Sequence, residues 1–142
     1  MTGRAVAAAV LALAGCTGSQ SPQVPPDPRL RTLIEQPVGD FLADARVASL
    51  LAAGCDEVEM SQALFNALVL TREAGRPGTS PFDPEVAARE ADTVFRARVA
   101  DLRARYGRSV LRRDTCPVIA AETDRGTPAT GFLALVVPLP GS

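Results

Sequence analysis

Between Ala88 and Tyr106 apolar side chains recur at three- and four-residue steps, as Ala88, Ala91, Phe95, Val99, Leu102 and Tyr106. That spacing places them on one stripe of an α-helix. The limits of the helix are legible too: Asp83 can cap its start, Pro84 suits the first turn, and Gly107 can take the left-handed conformation that ends it. Glu85 and Arg89, Asp92 and Arg96, and Asp101 and Arg105 are acid-before-base pairs at i and i+4. Each is worth ~0.3 kcal/mol on a solvated face. A long helix cannot bury such a stripe alone, so the chain must supply other helices to pack against it.

Those partners are predicted on both sides. A first helix from about Asp40 to Ala53 gathers Phe41, Ala45, Ala48, Leu51 and Ala52 on one side and stops at Gly54. A second, from about Glu57 to Ala74, buries Met60, Leu64, Phe65, Leu68 and Val69, and Gly75 to Pro81 reads as a loop. Beyond the long helix, Asp114 or Thr115 can cap a short fourth helix reaching Asp124. Thr127 and Pro128 open a fifth segment that ends before Pro138. Phe132 to Val137 fits helix and strand equally, and the period-2 alternation of a sheet is absent elsewhere. The expected fold is all-α, a small antiparallel bundle of four to five helices over residues 38–142.

All fifteen basic residues are Arg, and the chain has no His. A Ser-His-Asp triad, His-ligated metal, a Schiff-base lysine and a P-loop lysine are therefore excluded within it. Carboxylates, hydroxyls, guanidinium groups and three thiols remain for chemistry. A formal net charge of -1 gives no support to nucleic-acid binding. The expectation is a protein that is not an enzyme and needs neither cofactor nor metal.

Near the amino terminus Arg4 supplies positive charge, Ala5 to Leu13 is an uninterrupted apolar run, and Leu13-Ala14-Gly15-Cys16 follows. The run is shorter than the about 20 residues of a membrane-spanning helix and suits the apolar region of an export signal. Leu13-Ala14-Gly15-Cys16 resembles the lipobox of bacterial lipoproteins. The resemblance implies a signal peptide of residues 1–15, cleavage before Cys16, diacylglycerylation of the Cys16 thiol and often acylation of the new amino group. Several acyl chains hold durably, because each buried methylene contributes about 0.8 kcal/mol. It also implies a domain in the periplasm, and Thr17, where an inner-membrane retention signal carries Asp, favours the outer membrane. Residues 16–37, rich in Ser, Gln and Pro, read as a semi-stiff tether. Within it Leu30, Leu33 and Ile34 either dock back on the domain or contact a partner.

With Cys16 assigned to lipid by that resemblance, Cys55 and Cys116 remain as a pair in an oxidising compartment. A disulfide between them would tie the second helix to the fourth and contribute about 4 kcal/mol in the chain-entropy model. The rival is a reactive thiol activated at a helix amino terminus, for which there is neither a CxxC spacing nor a His partner.

Arg96, Arg98, Arg103, Arg105, Arg108, Arg112 and Arg113 make one locally basic region set against Asp101. It is either a solvated face or a contact for anionic lipid, lipopolysaccharide phosphate or an acidic partner, with Arg96, Arg103, Arg108, Arg112 and Arg113 as the candidate contacts. Asp56, Glu57 and Glu59 could serve a calcium site or a carboxylate pair, but acids at a helix start are also what the helix dipole favours, and no EF-hand loop is present. The segment from Gly126 to Gly131 lacks the Lys and the preceding strand of a phosphate loop.

One Cys entering a second helix that contains Met and Phe, a charged third helix, and another Cys opening a short terminal helix together resemble a family of small exported alphaproteobacterial proteins of unknown function. The similarity runs from about Asp40 to Leu133 and implies a helical, disulfide-linked fold without an assigned activity. The expected role is that of a membrane-anchored envelope lipoprotein with a non-enzymatic interaction or accessory function and an envelope protein partner. Two alternatives stay open. A carboxylate-dependent cell-wall glycan hydrolase needs a cleft with two acidic groups, and a carrier of a small apolar ligand needs a cavity between helices.

Overall fold

Helix α2 (Val38–Ala52) sits at the centre of the fold because apolar residues cover two of its faces. Phe41, Ala45 and Ala48 look into one core cluster with Leu33, Leu68 and Phe132, while Val47 and Leu51 look into another with Cys55, Leu102, Val110, Val118, Ile119 and Ala129. Around it a computed structural model, which describes residues 27–74 and 84–136, places α1 (Pro28–Glu35), α3 (Gln62–Ala74), α4 (Pro84–Tyr106) and α5 (Cys116–Asp124). The result is a small all-helical bundle with a minor ribbon of two strands, β1 (Val58–Met60) and β2 (Leu133–Leu135). Short 3-10 turns at Val110–Arg112 and Pro128–Phe132 lead into α5 and β2 respectively.

Helix α4 packs along α2 in the most extensive contact of the fold. Its buried residues are Ala87, Ala91, Val99 and Leu102, so the expected stripe holds except at its start, where Ala87 replaces the exposed Ala88. Gly39 allows the close approach: a Cβ there would stand 2.8 Å from the Glu90 Cβ. Pro84 begins the helix, and Gly107, at φ 97°, follows its last residue as expected. Asp83 and the predicted loop from Gly75 to Pro81 lie outside the described residues.

Three boundaries differ from the sequence expectation. The fold reaches back to Asp27, ahead of the boundary placed at residue 38, because α1 is docked and Leu33 is fully buried. Asp27 caps that helix by accepting from the Arg29 N–H at 2.9 Å, and Leu30 and Ile34 pack on the same cluster as Leu33. The second predicted helix starts at Gln62 instead of Glu57. Val58 to Met60 pair antiparallel with Leu133 to Leu135, and Ser61 caps the helix by accepting from the Leu64 N–H at 3.2 Å. The fifth segment resolves its ambiguity as a 3-10 turn followed by a strand, so Phe132 enters the core from irregular backbone.

Phe132 forms an edge contact with Phe41 at 5.4 Å, and Phe41 stacks on Phe65 at 5.4 Å. The buried Arg72 then locks α1 against this aromatic cluster. Its guanidinium lies 4.7 Å from the Phe41 ring centre and donates to the carbonyls of Leu33, Ile34 and Gln36 at 2.6, 2.7 and 2.7 Å. Those carbonyls end α1 and have no partner in the helix itself, so the arginine satisfies them, the Leu33 carbonyl in the buried interior. Leu33→Ala should lower the stability to urea by about 2 to 5 kcal/mol. A loss under about 1 kcal/mol would mean that Leu33 is not buried in solution.

Candidate functional site

The cysteines define the tightest seam. Cys55, in the turn after α2, is bonded to Cys116, the first residue of α5, with Cα atoms 5.0 Å apart and a separation of 61 in sequence. The bond therefore ties the end of the first predicted helix, not the second, to the fourth, because β1 displaces the start of α3. Beside it Thr115 donates from Oγ1 to the Leu51 carbonyl at 2.5 Å and from its N–H to the Gly54 carbonyl at 3.0 Å. Only glycine fits at position 54, since a Cβ would stand 2.8 Å from both branches of the Thr115 side chain. Thr115 is the N-cap of α5 without a side-chain cap hydrogen bond, and Asp114, one residue ahead of it, accepts from the Cys116 N–H at 2.9 Å. Cys55, Asp114 and Cys116 have their ligand atoms within 4.8 Å of one another. With the sulfurs bonded to each other, only the carboxylate can coordinate a metal strongly.

The basic region divides into two sets. Along α4, Arg89 pairs with Glu85 at 3.9 Å, Arg96 with Asp92, Arg98 with Asp40 and Asp44 at 3.4 Å each, and Arg105 with Asp101 at 2.5 Å and Glu122 at 2.7 Å. All three i,i+4 pairs expected from the sequence are present. Among the described residues Arg103, Arg108, Arg112 and Arg113 form no ion pair. Three of them, Arg103, Arg108 and Arg112, line one open concavity of about 650 Å³ with Ala100, Ala104, Ser109 and Leu111. Arg96 is thus separated from the candidate contacts by its own carboxylate partner, and Arg113 does not line the concavity.

Two buried carboxylates were not singled out from the sequence. Glu122 accepts from Arg105, from the Tyr106 hydroxyl and from Thr127 Oγ1, each at 2.7 Å. That hydrogen bond raises the Tyr106 pKa and keeps its hydroxyl protonated. Asp44 accepts from Gln36 Nε2 at 3.1 Å, while its other oxygen faces Arg98 Nε at 3.4 Å as an ion pair without a hydrogen bond. A narrow gap of about 20 Å³ lies among Asp44, Arg98, Arg105 and Glu122. It has room for about one water molecule. The signal was present in the spacing: Glu122 stands four residues after Val118, and Arg72 four after Leu68, each on a buried stripe.

Asp56, Glu57 and Glu59 are exposed and precede β1 or lie on it, so the helix-dipole explanation for them fails with the helix start that it assumed. Gly126, at φ 71°, ends α5, and Gly131 sits where a Cβ would meet Leu33 at 3.1 Å, which gives that segment structural work. A second open groove, about 380 Å³, is lined mainly by Leu42, Ala45, Met60, Phe65, Ala88 and Ala91. Neither open concavity is lined by a carboxylate. Among the described residues no helix is long and apolar enough to cross a membrane. No protein-family model, curated protein or solved structure matches the chain.

Burial raises the Asp44 pKa above the usual carboxylate range, opposed by Arg98 and Gln36 and reinforced by Asp40. The folded state then binds this proton more tightly than the unfolded chain does. The resulting stability is complete below the unfolded value and is lost as pH rises through the raised folded one. Wild type should therefore gain stability relative to Asp44→Asn as pH falls from 7 to about 4 in urea titrations. Parallel curves would contradict the raised value.

Proposed function

We propose that this chain is a lipid-anchored protein of a bacterial cell envelope, facing the periplasm from the outer membrane, whose domain has a non-enzymatic interaction or accessory role. The observation that carries the reading is the division of the three cysteines. Cys55 and Cys116 pair with each other, which leaves Cys16, behind Leu13-Ala14-Gly15, as the thiol available to lipid. A structural disulfide is in keeping with export, because such bonds persist in oxidising compartments. The absence of His and Lys from the sequence removes the commonest catalytic bases and favours a binding role. Partners are an envelope protein and the membrane itself, the latter through Cys16.

Cys16→Ser tests the anchor. Wild type should fractionate with membranes and take up a labelled fatty acid, and the variant should take up none. Equal labelling of both would refute lipidation at Cys16.

A second reading, a carrier of a small apolar ligand, draws support from the groove between α2, α3 and α4 lined by Leu42, Met60 and Phe65. It expects saturable binding of a fluorescent fatty-acid probe, weakened at least about tenfold by Ala88→Arg, a charge placed at an exposed position lining the groove. Binding unaffected by that change would sink it.

A further inference from the structure

We propose that the concavity at the carboxyl end of α4 binds a phosphate-bearing ligand through Arg103, Arg108 and Arg112. The inference goes beyond the lipid anchor and names the chemistry of one surface that the proposed function leaves open.

The first argument is charge balance. Arg89, Arg96, Arg98 and Arg105 on α4 each have a carboxylate partner, whereas the three arginines of the concavity have no ion-pair partner among the described residues. Like charges gathered on one surface repel, and a bound anion removes that repulsion. The helix dipole does not account for the cluster. Arg103 lies in the last turn of α4, where a cation is favoured, but Arg108 and Arg112 come after Tyr106 and Gly107, beyond the helix.

The second argument is shape. Ala100 and Ala104 keep that face of α4 low, Leu111 forms an apolar side, and Ser109 adds a half-buried residue with a hydroxyl. Arg103 stands on a helix and Arg112 on a 3-10 turn whose Val110 is buried in the core, so the walls are held by packing. Three guanidinium forks exceed what one carboxylate accepts. A phosphate monoester offers three oxygens and about 1.5 to 2 negative charges, which matches them. The volume, about 650 Å³, is that of a site for a small molecule and not for a bare ion, so phosphate is expected to be the head of a larger ligand.

The test follows the arginine Nε–H resonances of the isotope-labelled full chain. Glycerol 3-phosphate is titrated in lipid-free solution, and vesicles of phosphatidylcholine are compared with vesicles that also contain phosphatidic acid. The resonances of Arg103, Arg108 and Arg112 should move together and saturate with at least one phosphate probe, while that of Arg96 stays still. Arg108→Gln and Arg112→Gln should each weaken the response about tenfold, the equivalent of one charge-assisted hydrogen bond. Arg96→Gln should not. All three sites are exposed, and thermal melts check that the variants fold. Saturation by glycerol 3-phosphate assigns a soluble phosphomonoester, and a response confined to phosphatidic acid vesicles assigns a lipid headgroup; both support the site. The proposal is overturned if all arginines shift in parallel without saturation, or if polyglutamate alone gives the response. Fatty-acid labelling of Cys16 reads the anchor separately, so the two failures are distinguishable.

Discussion

The end of α2 and the start of α5 are held together at one point, and most of the second core cluster depends on it. The Cys55–Cys116 bond, the two hydrogen bonds of Thr115 to Leu51 and Gly54, and the missing side chain at Gly54 act over a few ångströms. Closing a loop of this length contributes about 4 kcal/mol by restricting the unfolded chain, which is comparable to the net stability of a small domain. With α5 pinned there, Val118 and Ile119 reach Leu51 and Leu102, and Glu122 reaches Arg105 and Tyr106 on α4. The seam thus sets both the apolar packing and the polar contact between α4 and α5.

Buried charge on either side of α2 then fixes how the remaining helices sit. Arg72 holds the end of α1 through three carbonyls, and Glu122 gathers three donors. For the Glu122–Arg105 pair desolvation offsets much of the attraction, but removing Arg105 strands the buried carboxylate at a cost of about 3 to 5 kcal/mol. Alternative packings of these small, Ala-rich helices would leave those partners unmet. Asp44, with one oxygen lacking a hydrogen-bond donor, is the least settled member of the set.

How much of this the sequence discloses follows from the range of the forces involved. Helix α4, bounded by Pro84 and Gly107 with three internal ion pairs, is governed by local contacts and was legible almost residue by residue. Strand β1 was not, because Val58 to Met60 is extended only through pairing with Leu133 to Leu135, more than seventy residues away. Ser61 was the local clue, a cap standing in the middle of the helix that periodicity predicted. The prolines assign residues up to 37 to a tether, yet Pro28 is the first residue of α1, and of the two readings of Leu30, Leu33 and Ile34 it is docking on the domain that holds, with Leu33 buried. In the candidate site the basic stretch was visible as composition. Which arginines are spent on carboxylates depends on Asp40, Asp44 and Glu122, residues brought near only by the fold.

The cysteines join architecture to the proposed place of the protein. A bond between Cys55 and Cys116 gives the domain its seam and leaves Cys16 as the thiol that the proposed anchor would use, so a single partition of three thiols underlies both. Peptide mapping of the protein isolated from the cells that make it, alkylated without reductant, measures that partition directly. The account predicts a linked Cys55–Cys116 peptide, no alkylated cysteine and an acylated peptide beginning at Cys16. Alkylated Cys55 and Cys116, or Cys16 joined by disulfide to either of them, would contradict it.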